Sequence, residues 1–159
     1  MTQPVLTDPP PALITGIVVM VPEARSVIAS AHITLLAPFG EDQEPTTEEL
    51  AELERYFAVQ PPFPYELTQL CRFPTGISYL SPEPVARFSR MTHDLHQLFP
   101  EYPPYGGQFD LVVPHLTVPD DVRVPELPIR AYAREATVFH LDEGVYTELA
   151  AFPFGASAA

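Results

Sequence analysis

Residues 13–21 read LITGIVVMV, an unbroken run rich in β-branched side chains, and predict a buried first strand. Residues 22–30 break that pattern and have room for one or two helical turns. Residues 31–37 (AHITLLA) return to an apolar strand that Pro38 ends. The polar stretch after it carries a capping box, Thr46-Thr47-Glu48-Glu49, in which Thr46 caps a helix and Glu49 reaches back. Leu50, Leu53 and Phe57 then recur at helical spacing up to about Ala58, and Pro61-Pro62 closes that helix. Residues 63–70 and 76–80 read as two strands about a turn at Pro74-Thr75-Gly76. A second helix starts near Pro82, with Val85, Phe88, Met91, Leu95 and Leu98 on one face and Pro100 and Pro103 at its end. The loop EYPPYGGQFD leads to a strand over residues 111–118. Residues 129–141 and 145–152 read as a final strand pair about the turn Asp142-Glu143-Gly144.

This order repeats. A strand, a helix, a strand, a turn and a strand are followed by a strand, a short connection, a strand, a turn and a strand. The first strand of each half carries the same tripeptide pattern, His32-Ile33-Thr34 and His115-Leu116-Thr117. On a strand, residues i and i+2 point to one face, so each copy aims an imidazole and a hydroxyl the same way. A pseudo-two-fold relation between the halves would set the two copies opposite each other. One neutral and one protonated imidazole then serve as general base and general acid. The two threonine hydroxyls hold the non-bridging oxygens of a phosphate. Either tripeptide alone reads as packing; the matched placement of both turns them into one candidate site.

Charge narrows the ligand. The formal net charge is −13, there is no lysine, and all eight cations are arginines. A field of that sign repels a long duplex and leaves a small phosphate or a nucleic-acid end as the anion the chain could bind. With 46% apolar and 11% aromatic residues, the 159-residue chain can bury the core of one domain made of two lobes, with residues 1–12 as a flexible N-terminal segment. The single Cys71, the absence of a basic leader at the N-terminus and the lack of an apolar run of about 18 residues point to a cytoplasmic protein away from membranes.

The remaining chemistry-bearing residues are weaker candidates. Phe39 follows the first motif and could stack on a base or sit in the core. Tyr105 lies in the PPYGG loop, Arg72 near a strand end and Tyr79 in ISYL; each could line the groove. His93 and His96 have no evident third ligand, His140 has no partner pattern, and Cys71 lacks an activating His-Asp context. Neither a metal nor a cofactor is expected.

The paired motifs, the first continuing as HITLLAPF and the second as PHLTV within FPEYPPYGGQFDLVVPHLTV, resemble the 2H phosphoesterase superfamily, in particular its bacterial 2′-5′ RNA ligase-like and cyclic phosphodiesterase branch. The resemblance covers nearly the whole chain. It implies a bilobal, duplicated α+β fold with two antiparallel sheets around a central groove. It also implies metal-independent cleavage of 2′,3′-cyclic phosphates or 2′-5′ linkages. By motif position it assigns catalysis to His32 and His115 and phosphate binding to Thr34 and Thr117, in a monomer acting on a small nucleotide or RNA terminus. Two departures stand out: the segment before the first motif is short for a full helix, and PDDVRVPELP after the second motif is shorter still. Competing readings are a non-catalytic nucleotide-binding or RNA-end-binding module using the same groove, and an interaction scaffold.

Overall fold

The computed structural model describes residues 13–107, 113–124 and 126–155. In chain order these form β1 (Leu13–Met20), a 3-10 turn at Pro22–Ala24, β2 (His32–Leu36), a 3-10 turn at Glu41–Gln43 and α1 (Thr47–Ala58). There follow β3 (Phe63–Arg72), β4 (Ser78–Glu83), α2 (Val85–Leu98), a turn at Pro104–Gly107, β5 (Leu116–Val118), β6 (Ile129–Ala133), β7 (Glu135–Asp142) and β8 (Val145–Pro153). The expected flexible segment at residues 1–12 and the start of the expected strand at 111–118 lie outside the described residues.

The fold is α+β. Its strands hydrogen-bond in the order β6-β3-β4-β5-β2-β1-β7-β8, antiparallel throughout. Two four-stranded halves meet where β2 pairs with β5, at the single bridge between Ile33 and Leu116. The two expected antiparallel sheets are thus joined edge to edge along the motif strands.

Outward from that bridge, one half runs β2-β1-β7-β8 and the other β5-β4-β3-β6. The repeat is phased one strand earlier than the motifs suggest. β1, the 22–24 turn, β2, α1 and β3 match β4, α2, β5, the 119–128 connection and β7. The third strand of each unit crosses over to pair with the first strand of the other: β3 with β4, and β7 with β1. The two short segments noted in the sequence fall where the other unit carries a helix.

The expected strand over residues 129–141 is two strands. It breaks at Arg134, because β6 pairs with β3 and β7 with β1, in opposite halves. The sheet curls until its ends meet there, and the Phe154 amide beyond β8 donates to the Arg134 carbonyl (2.8 Å). The second helix starts at Val85, not near Pro82. Pro82 is a buried strand residue opposite Leu67, and β4 runs on to Glu83 before Pro84 takes the N-cap position.

Both helices cover one face of the sheet. α1 opens with the expected capping box, Thr46 and Glu49 exchanging side-chain-to-amide bonds of 2.9 and 3.0 Å. It buries Leu53 and Phe57, and α2 buries Phe88, Met91 and Leu95, against Ile17, Val19, Ile33, Leu36, Leu80 and Leu116. A bulge in β2 sets Ile17 opposite Leu36 but Val18 opposite Thr34, leaving Leu35 over. Both leucines are thereby buried, and α2 secures the bulge: Thr92 Oγ1 donates to the Leu35 carbonyl at 2.8 Å.

Candidate active site

Ile33 and Leu116 are fully buried on the helix-covered side of the sheet. Alternation therefore turns their neighbours His32, Thr34, His115 and Thr117 to the opposite face. The antiparallel register through the Ile33–Leu116 bridge sets His32 across from Thr117 and Thr34 across from His115. The four motif side chains thus surround one bridge, on one face. Among the described residues no hydrogen bond engages either threonine hydroxyl in this arrangement.

The two imidazoles are held in the same way. His32 Nδ1 lies 2.7 Å from the Ser30 carbonyl, and His115 Nδ1 lies 2.6 Å from the Val113 carbonyl. A carbonyl only accepts, so Nδ1 carries the proton in both rings and Nε2 is left as the working nitrogen. Neutral, Nε2 is a base; protonated, it is an acid. Burial pushes the pKa of each histidine below its usual range, and the carbonyl at Nδ1 partly offsets this. The charge of His115 lowers His32 further, as expected of two imidazoles sharing one site.

Each histidine packs against two aromatic rings from one hairpin. His32 meets Phe139 and Tyr146 of β7–β8, both at 5.6 Å between centroids. His115 meets Phe73 at 5.0 Å and Tyr79 at 5.6 Å, from the β3–β4 hairpin. These rings supply the apolar surroundings that disfavour the imidazolium. Phe139 can lie across β1 because residue 16, opposite it, is glycine: a Cβ there would stand 2.9 Å from the ring. Phe73, Phe139 and Tyr146 escaped the sequence reading. The available signal was an aromatic beside each hairpin's glycine turn, Phe73 in FPTG and Tyr146 in EGVY.

A cavity of about 200 Å³ opens beside His32 between β1, β7 and β8. Val18 and Met20 line it from β1, Thr137 and Phe139 from β7, and Tyr146 and Glu148 from β8. Thr137 is buried, and its hydroxyl has no hydrogen-bond partner among the described residues.

The other candidates separate. Tyr79 stands opposite Thr117, on the face of the imidazoles, stacked 4.1 Å from Phe73. Phe39 does not line the groove. It is fully buried in the core, edge-on to Phe99 and Tyr102, because its amide ties it back to the Thr15 carbonyl at 2.9 Å. Arg72 does not line it either: it follows Cys71, which stands opposite Tyr79, so alternation turns Arg72 to the other face. Tyr105 is half-buried, and its amide donates to the Ala37 carbonyl (2.7 Å), just past the end of the first motif strand. Among the described residues no three His, Cys, Asp or Glu side chains cluster as a metal site.

The model of the 2′-5′ RNA ligase superfamily matches residues 22–143. A Geobacillus kaustophilus protein, provisionally named as a phosphoesterase, is 37% identical over 103 residues, covering 63% of this chain and 57% of the relative. The match thus spans little over half the length of that curated relative. Two solved structures share the fold over 89% of this chain and 97% of their own. TT0787 of Thermus thermophilus has a TM-score of 0.66 at 19% identity, and E. coli LigT complexed with 3′-AMP has 0.60 at 15%. LigT has also been solved with ATP and with NADP+.

Proposed function

This chain belongs to the 2′-5′ RNA ligase superfamily, and from that premise we propose that it is a phosphodiesterase whose two histidines open a 2′,3′-cyclic phosphate, or cleave a 2′-5′ linkage, on an RNA end or small nucleotide. One observation carries the reading: two imidazoles on one sheet face, each with Nδ1–H given to a backbone carbonyl and Nε2 left to move a proton. A structural histidine needs no such matched pair. The 3′-AMP bound to LigT supports a nucleotide in this fold.

In this reading one Nε2 takes a proton from water as its oxygen bonds to phosphorus. The other Nε2–H gives its proton to the ribose oxygen as the old P–O bond breaks. The Thr34 and Thr117 hydroxyls donate to the non-bridging oxygens, where negative charge gathers. The two histidines end with exchanged protonation states, and solvent restores them.

The test is incubation with 2′,3′-cyclic AMP in the presence of EDTA, followed by phosphorus NMR. The expected result is chelator-insensitive conversion to a single monophosphate, reduced by about 10²–10⁴-fold in His32→Ala and in His115→Ala while circular dichroism stays unchanged. Full activity in either folded variant overturns the two-histidine mechanism. Binding of the nucleotide without conversion favours the non-catalytic binding module.

A further inference from the structure

The cavity beside His32 contains a carboxylate put there by a register fault. β7 and β8 pair with Val138 opposite Ala150 but Phe139 opposite Glu148, so Leu149 is left over as a bulge. Without the bulge, Leu149 would stand opposite Phe139 and Glu148 would point to the far side of the sheet. The bulge re-aims Glu148 to the face that carries Phe139 and His32. No cation claims it: among the described residues the one ion pair is Arg130–Glu66. Thr137, which lines the same cavity, has a buried hydroxyl with no partner among the described residues. Tyr146, 42% exposed, offers a ring face beside them.

We propose that this cavity receives the base of the nucleotide and that Glu148, re-aimed by the bulge, selects bases whose edge bears an exocyclic amine. The proposal rests on the reading of His32 as part of a nucleotide phosphoesterase site. An ionised carboxylate accepts hydrogen bonds and donates none. It accepts from the N4 amine of cytosine, whereas the O4 carbonyl at the same place in uracil meets it as acceptor against acceptor. The two bases have nearly the same shape, so the distinction between them is chemical. The aromatic wall adds stacking that every base shares.

Two measurements on the whole chain separate this proposal from the reading beneath it: turnover of the 2′,3′-cyclic phosphates of cytidine and uridine, and calorimetric binding of cytidine and uridine 3′-monophosphates. The wild-type chain is expected to favour cytidine by about tenfold or more in both, the worth of one hydrogen bond to a charged group. Glu148→Gln keeps the size of the side chain, and its amide can both donate and accept. It should bring the two bases within about threefold by weakening cytidine and strengthening uridine. Equal handling of both bases by the wild type overturns base selection and leaves the phosphoesterase reading standing. A cytidine preference unchanged in Glu148→Gln overturns the role of Glu148. Cytidine-selective binding that Glu148→Gln abolishes, without any turnover, upholds the base site while the catalytic reading fails. Absence of both binding and turnover overturns both.

Discussion

The Nδ1–H of each motif histidine is committed to a carbonyl two residues upstream, so proton traffic can pass only through Nε2. That commitment has a consequence for pH. The proposed mechanism needs one imidazole neutral and the other protonated, so under it kcat/KM follows a bell whose limbs are the two pKa values of the free protein. Burial holds both below the usual histidine value, and the charge of His115 lowers His32 further. Above both values the acid has lost its proton; below both the base has gained one. The maximum of kcat/KM should therefore lie below about 6.5, the unperturbed histidine value. A bound anionic phosphate favours the imidazolium, so the kcat profile should lie to the alkaline side of the kcat/KM profile. Initial rates from pH 4.5 to 8.5 in buffers of constant ionic strength test this, and a kcat/KM that still climbs above pH 7 would count against it. The motif residues were legible in the sequence because a strand's two-residue period is local. Their aromatic neighbours were not, because Phe139 and Tyr146 reach His32 only through pairings formed far along the chain.

At the scale of elements, bulges do much of the positioning. One in β2 brings Thr34 opposite Val18 while both Leu35 and Leu36 enter the core. The Leu35 carbonyl, at the residue left over, takes its hydrogen bond from Thr92 on α2. Replacing Thr92 by the isosteric valine leaves that buried carbonyl unpaired. The expected loss is about 1–3 kcal/mol, seen as a lower urea midpoint at unchanged m-value. An unchanged midpoint would show that the bulge holds without α2. Most elements were readable from periodicity, and α1 was readable almost to the residue because its capping box is a local signal. The 129–141 stretch was not, since IRAYAREATVFHL is one continuous strand pattern. Only the curl of the sheet, which sends β6 to one half and β7 to the other, breaks it at Arg134. Arg72 and Phe39 failed as groove residues for related reasons. Strand parity at position 72 depends on the partner register, and position 39 is drawn into the core by a bond to distant Thr15.

For the whole molecule the dominant electrostatic fact is a net charge of −13 with only eight arginines to relieve it. None of those arginines is among the groups that shift either imidazole. Arg130 pairs with Glu66 at the surface, Arg87 lies over Phe63 at 4.1 Å, and Arg134 lies over Tyr132 at 5.1 Å. Under the proposed function an anionic substrate would approach through the repulsive field of a strongly negative chain, the reverse of electrostatic steering. Salt should relieve that repulsion. Between about 0.01 M and about 0.15 M ionic strength the screening length falls from about 30 Å to about 8 Å. Over that range kcat/KM for a 2′,3′-cyclic mononucleotide should rise. It should rise more steeply for a short RNA ending in the same cyclic phosphate, because each further phosphate adds to the repulsion being screened. Stopped-time assays across a sodium chloride series read this directly, with kcat expected to move far less than KM because the long-range field acts on encounter. A fall in kcat/KM with salt would instead mean that the groove presents a local positive potential strong enough to override the charge of the whole chain.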